Sequence, residues 1–177
     1  MEIDINLLCE LFRYRWDAPI LAELRRSEGC KYVTLRHRLS VADVPMRQAL
    51  DFLILKGWVM RNPGYGHPSR PEYVLTDSGT LLADRCDATL QALNQLGVEQ
   101  IGLNRWTMPV LFQLAAGPSK FSELRNRTCS ISPRALTQSL RELVDHDLVA
   151  RIVAAEMPVV ITYSLTAGGE RLAGIWR

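Results

Sequence analysis

The chain has no apolar run approaching the roughly 20 residues that a membrane-spanning helix needs. Histidine is scarce, at three residues, and so is cysteine, at four in 177. Cys9, Cys30, Cys86 and Cys129 are scattered and form no CxxC pair. That excludes a zinc-finger spacing, argues against a disulfide scaffold, and fits a reducing, cytoplasmic location. His37, His67 and His146 stand in unrelated parts of the chain. No phosphate loop, GxSxG elbow or HExxH pair occurs, and no nucleophile, base and acid form a set. The expectation is therefore a protein with no catalytic residues, no metal and no cofactor. The opening "MEIDINLLCELF" is acidic and lacks the basic start of a secretory signal. Charge of either sign is nearly balanced: the net is +2 and the pI about 8.4, which permits nucleic-acid binding without demonstrating it.

What is present is a globular composition, with 47% apolar and 23% charged residues, in a length that suits one large domain or two small ones. The chain also repeats itself. "RWDAPILAEL" begins at Arg15 and "RWTMPVLFQL" at Arg105. At a shift of ninety, Gln48, Leu50 and Leu53 fall on Gln138, Leu140 and Leu143. Val59 and Arg61 fall on Val149 and Arg151. Tyr73, Leu75, Thr76, Gly79 and Leu82 fall on Tyr163, Leu165, Thr166, Gly169 and Leu172. "LRHR" from Leu35 matches "LRNR" from Leu124 at eighty-nine, with the gain and the loss of one residue both at expected turns. So long a period, with ordered matches, indicates two tandem copies of one domain, over 1–97 and 98–177.

The second copy is the clearer text. Trp106 to Leu114 carries apolar residues at helical spacing, and "AAGPSK" breaks the pattern. "KFSELRNR" reads as a short amphipathic helix and "TCSIS" as a turn. Ser132 caps the next helix and Pro133 suits its first position. That helix runs to about Val144 and turns Leu136, Leu140, Leu143 and Val144 to one side. "LVARIV" and "VVITYSLT" read as strands around the turn "AAEMP". Thr166 then caps a last helix. Helix, helix, turn, helix, strand, strand, helix is the order of a winged helix-turn-helix. The fold class expected is mainly α with small β-hairpin wings, an α+β chain of two tandem winged helix-turn-helix domains.

Specific words of the second copy carry a resemblance. The basic residue before Trp106, "GPSKFSEL", "ISPRALTQSLREL", "LVAR" and "YSLT" together resemble the HxlR family of bacterial transcriptional regulators, from Arg105 to Leu172. The first copy is more distantly similar, keeping "RW", "QALDFLILKGWV" and "YVLTDSG". The resemblance implies binding to double-stranded DNA through the second helix of the turn, adjustment of transcription, and pairing through terminal helices. It also implies, for some members, a response to electrophiles or oxidants through a cysteine before the first Trp. Cys9 stands upstream of Trp16. Cys129 lies in the helix-turn-helix turn, where modification would disturb the reading helix, so both are candidate redox-sensing residues.

A reading helix needs donors and acceptors outward and cations nearby. In the second copy these are Arg134, Thr137, Gln138 and Arg141, with Lys120, Arg125 and Arg127 around the preceding helix. Its wing, "AAEMPVVITY", has Glu156 and no cation where family members carry proline and a basic residue, and is expected to pack against protein. In the first copy the reading face is Val44, Arg47, Gln48 and Asp51, with Arg36 and Arg38 at the places of Arg125 and Arg127. Its wing, "RNPGYGHPSRPEY", carries Arg61, His67 and Arg70 for phosphates.

Asp77 to Leu96 has an unbroken helical pattern, which the resemblance equates with a dimer helix. It leads to the expectation of an intrachain pseudo-dimer, with self-association through Ile3, Ile5, Leu7, Leu8 and Leu11 as a further option. The alternative function is a protein-interaction scaffold with little DNA binding, favoured by Asp51 and the second wing's lack of a cation. Trp16, Trp58, Trp106 and Trp176 are read as core in preference to the lining of a ligand pocket.

Overall fold

A computed structural model describes residues 3–62, 72–154 and 159–177. In chain order the elements are α1 (Ile5–Leu11), α2 (Asp17–Arg26), α3 (Tyr32–Leu39), α4 (Asp43–Leu55), β1 (Val59–Arg61), β2 (Tyr73–Leu75), α5 (Asp77–Leu96), α6 (Glu99–Gly102), α7 (Thr107–Leu114), β3 (Ser119–Lys120), α8 (Phe121–Arg127), α9 (Pro133–Asp145), β4 (Val149–Ala154), β5 (Val160–Leu165) and α10 (Ala167–Gly174). The chain is mainly helical with small antiparallel sheets, as the expected class requires. No helix among the described residues is long and apolar enough to cross a membrane.

The chain divides into two compact units. The first runs from Tyr14 to Leu90; the second takes the segment through Arg13, including α1, together with Gln91–Arg177.

In the first unit α2 packs on α3, α4 and β2. Ile20, Leu21 and Leu24 of α2 lie in the core with Leu35 of α3 and Met46, Leu50 and Leu53 of α4. These residues recur every three or four positions, so each helix offers one apolar stripe, and burying the stripes together drives the assembly. β1 and β2 form a hairpin with Val59 opposite Leu75 and Arg61 opposite Tyr73. Cys30 bridges to Tyr73 beside it.

In the second unit α7 packs against α1, α8, α9 and α10. Val110, Leu111 and Leu114 of α7 share its core with Leu136, Leu140 and Leu143 of α9 and with Leu172 of α10. β5 is the central strand of a three-stranded sheet, with Lys120 of β3 opposite Thr162 and Arg151 of β4 opposite Tyr163. Asp4 caps α1 by accepting from the Leu7 N–H at 2.8 Å. Leu8 and Leu11 of α1 are buried, so two of the five apolar residues offered for self-association find their cover within this unit. Phe12 and Trp176 meet edge to face with centroids 5.7 Å apart. Trp58 and Trp176 are core residues as expected, whereas Trp16 and Trp106 are half-buried.

One packing detail occurs in both units at the ninety-residue shift. Thr76 and Thr166 cap the helices that follow the hairpins, accepting from the N–H of Gly79 and Gly169 at 3.1 and 3.3 Å. A Cβ on Gly79 would run into the carbonyl oxygen of Trp58, and one on Gly169 into that of Leu148, both well inside contact distance. Only glycine lets the helix start approach the backbone this closely.

Candidate nucleic-acid interface

The second unit presents α9 as its outward helix. Ser132 caps it by accepting from the Ala135 N–H at 3.2 Å, and Pro133 occupies the first turn. Leu136, Ser139, Leu140 and Leu143 point into the core. By helical periodicity that turns Arg134, Thr137, Gln138 and Arg141 to the surface, and all four are exposed. Arg134 makes no ion pair among the described residues. Thr137 donates its hydroxyl to the Pro133 carbonyl at 2.8 Å, and Gln138 donates to Glu142 Oε1 at 2.8 Å. Arg141 reaches Asp145 only at 3.9 Å, between two well-exposed side chains, a pairing of little energetic weight. Lys120, Arg125 and Arg127 are exposed around α8, and their side chains have no partner among the described residues. α8 itself is held by Glu123, which accepts from the Lys120 N–H at 2.8 Å.

The first unit places the corresponding residues at corresponding elements but engages them differently. Arg47 and Gln48 are exposed on α4, as are Val44 and Asp51. Arg47 donates to Asp43 at 2.7 Å and lies over the Tyr32 ring, 5.3 Å from its centroid. Arg36 reaches the same carboxylate at 3.4 Å, and Tyr32 donates its hydroxyl to it at 2.7 Å. Arg38 pairs with Glu23 at 2.7 Å. Arg61 donates to the Tyr73 hydroxyl at 3.3 Å and stands over its ring. The Arg47 guanidinium and the Tyr32 hydroxyl, hydrogen-bonded to Asp43, hold its carboxyl down at about 2. Every described cation proposed for DNA in this unit therefore has an acid or a hydroxyl on it. Arg70 and His67 of the wing lie outside the described residues, as does Glu156 of the second wing.

Asp43 is the residue that reading the outward faces alone passes over. Its signal is local: an acid at a helix start, four residues before Arg47. The second unit has Pro133 at that place and no equivalent acid.

The cysteines require a correction. Scattered spacing argues against a disulfide scaffold and does not pair these residues, yet Cys9 and Cys129 are joined by a disulfide across 120 positions. Spacing rules read neighbours in sequence, whereas folding sets α1 beside the turn between α8 and α9. Cys129 occupies a left-handed backbone position there, with φ 35°, as Ser40 does in the first unit with φ 52°. Cys30 and Cys86 are free and buried, and burial pushes both thiols up.

Residues 100–177 match the HxlR-like helix-turn-helix family, a span within the second unit. Among curated relatives, the chain is 42% identical to the uncharacterized HTH-type transcriptional regulator YvaP of Bacillus subtilis (strain 168), over 40% of this chain and 66% of that one. It is 30% identical to the uncharacterized HTH-type transcriptional regulator YtfH of Escherichia coli (strain K12), over 54% of this chain and 70% of that one. A solved structure, the reduced form of the transcriptional regulator YodB from B. subtilis, matches at 29% identity over 46% of this chain and 80% of that one, with a TM-score of 0.43. Against several relatives the match spans 61–66% of their length. With a family match over its second unit and a relative aligned over most of its length, this chain belongs to the HxlR-like helix-turn-helix family.

Proposed function

We propose that the chain is a sequence-specific DNA-binding transcriptional regulator, built from two tandem winged helix-turn-helix copies, in which the second copy reads the bases. The observation that carries this is the contrast between the two sets of cations. Arg134, Lys120, Arg125 and Arg127 stand exposed without partners among the described residues, while Arg36, Arg38, Arg47 and Arg61 are held by groups of their own unit. A phosphate or a guanine edge meets the first set without breaking anything. For the second set it must compete with an existing hydrogen bond.

In this reading Arg134, Thr137, Gln138 and Arg141 face base edges, and Lys120, Arg125 and Arg127 hold phosphates. The two copies act as a covalent pseudo-dimer, so a chain of 20.0 kDa occupies one operator alone. The test is enrichment from a random duplex library, followed by affinity against salt concentration with the enriched site. The expected result is a selected sequence, a steep fall of affinity with salt, and one chain per duplex by mass. A chain that enriches no sequence and ignores salt would refute the proposal.

That second outcome is what the scaffold alternative requires. One observation favours it for the first copy alone: Val33 of α3 and Val44 on the reading helix itself are 71% and 65% exposed, where a DNA reader carries polar groups.

The Cys9–Cys129 pair is proposed as a redox control of the same reader. Forming the bond takes two electrons and two protons from the thiols, delivered to a disulfide-class oxidant that leaves as two thiols. Cys129 lies three residues before Ser132, the cap of α9, so tethering it to α1 restrains the entry of the reading helix. DNA affinity measured with the bond formed and with it reduced is expected to differ; equal affinities refute the control.

A further inference from the structure

The second unit has a cavity of about 260 Å³ behind the exposed face of α9, lined by Phe121, Thr137, Leu140, Arg141, Val144, Asp145, Arg151 and Tyr163. Phe121, Leu140, Val144 and the Tyr163 ring make its walls largely apolar. Two guanidiniums and one carboxylate line the same space, leaving an excess of positive charge. Arg141 is held only by the 3.9 Å approach to Asp145. Arg151 and the Tyr163 hydroxyl have no partner among the described residues.

The same place in the first unit shows what this cavity lacks. Its cavity is lined by Tyr32, Arg47, Leu50, Asp51, Arg61 and Tyr73, among others. At the shifts of eighty-nine and ninety these are the counterparts of Phe121, Thr137, Leu140, Arg141, Arg151 and Tyr163. There, however, the polar groups satisfy one another. Tyr32 donates to Asp43 at 2.7 Å, Arg61 donates to Tyr73 at 3.3 Å, and Asp51 and Glu72 add carboxylates to the lining. In the second unit Phe121 has lost the hydroxyl of Tyr32, Arg141 replaces Asp51, and Arg151 is released from its tyrosine. The same pocket has changed from internally neutralised to apolar and cationic.

We propose that the cavity of the second unit is a binding site for a small aromatic carboxylate. The ring lies against Phe121, Leu140, Val144 and Tyr163, and the carboxylate is held by Arg141 and Arg151. Ligand sites combine apolar walls with a few placed polar groups, and a volume near the lower end of their range restricts the ligand to one or two rings. Guanidinium groups favour a carboxylate because their planar donors match its two oxygens. Thr137 and Arg141 also belong to the reading face, so occupancy is expected to alter DNA affinity; that consequence rests on the DNA-reading proposal, and ligand binding itself does not.

The test is calorimetric titration of the full chain, without DNA, using 2-naphthoate, benzoate and the neutral 2-naphthamide. A saturable site for a carboxylate with one ligand per chain is expected, with the amide at least tenfold weaker. Replacing both arginines (Arg141→Gln with Arg151→Gln) is expected to raise Kd at least tenfold. Val144→Trp, which fills the cavity from a half-buried position, is expected to abolish binding. The arginine variants alter exposed side chains, so they keep the test decisive if Val144→Trp does not fold. Absence of saturable binding, two ligands per chain, equal affinity for the amide, or binding indifferent to the arginine pair would each overturn the site. Because DNA is absent from the titration, failure here leaves the DNA-reading proposal standing, and the reverse also holds.

Discussion

Arg47 Nε donates to Asp43 Oδ2 at 2.7 Å, one turn apart on α4. Ninety residues on, the same two places hold Thr137 and Pro133, and α9 carries its cations at Arg134 and Arg141 instead. The acid at the start of one helix, and its absence from the other, separates two helices that otherwise share their length, their core stripe and their place between a turn and a hairpin.

That separation predicts unequal mutants. Arg134→Ala is expected to weaken DNA binding by about 1–3 kcal/mol, which is roughly five- to 140-fold. Arg47→Ala, which removes a cation already held by Asp43, is expected to change affinity less than about threefold on the same scale. Asp43→Asn frees Arg47 and Arg36 and is expected to steepen the salt dependence of binding. Equal losses for the two arginine variants would overturn the proposed division of labour between the copies.

The Asp43 network also predicts a pH effect with a definite sign. An unfolded carboxylate titrates near about 3.9, and Asp43 in the folded chain at about 2. The lowered value means that its contribution is complete above the unfolded pKa and is lost as the pH falls through the folded one, between about 4 and 2. Urea midpoints measured across that window are expected to fall less steeply for Asp43→Asn than for the parent chain. Parallel curves would show that the network adds nothing to stability.

The disulfide predicts a pattern of thiol reactivity. In the oxidised chain, Cys9 and Cys129 are bonded and Cys30 and Cys86 are buried, so a thiol reagent is expected to label no cysteine quickly. After mild reduction Cys9 and Cys129 are expected to label first, which peptide mapping distinguishes. Reduction, or Cys9→Ser, is expected to lower stability by about 2–5 kcal/mol, the range for native disulfides closing long loops. Rapid labelling of Cys86 in the native chain would contradict its burial.

The glycine contacts predict matched losses. Gly169→Ala forces a methyl against the Leu148 carbonyl, and Gly79→Ala against that of Trp58. Each is expected to cost roughly 1–3 kcal/mol, as overpacking does elsewhere. Gly174→Ala, where a Cβ meets nothing within 4 Å, serves as the neutral comparison in the same thermal unfolding series.

Much of this is legible in the sequence alone. Ser132 and Pro133 mark the start of α9, and Thr166 that of α10, because caps and first-turn prolines are local chemistry. The strand pattern of "LVARIV" and "VVITYSLT" appears as β4 and β5. The outward set of α9 follows from a period of 3.6 and needs no partner to define it. Even Asp43 and Arg47 are spaced for pairing in the sequence, although spacing does not show that Tyr32 and Arg36 converge on the same carboxylate.

The sequence by itself determined α5, the helices α7 to α10, the strands β4 and β5, the caps Ser132 and Thr166 and the ninety-residue register, because each depends on residues within a few positions of one another or on direct comparison of two texts. Only the tertiary structure decided which cations are engaged, which cysteines meet, and which pocket is satisfied. Arg38 finds Glu23 fifteen positions away, Tyr163 stands opposite Arg151 only through strand pairing, and Cys9 reaches Cys129 across 120 positions. These contacts join side chains whose distance along the chain says nothing of their distance in space, so their chemistry exists only after the apolar stripes have packed.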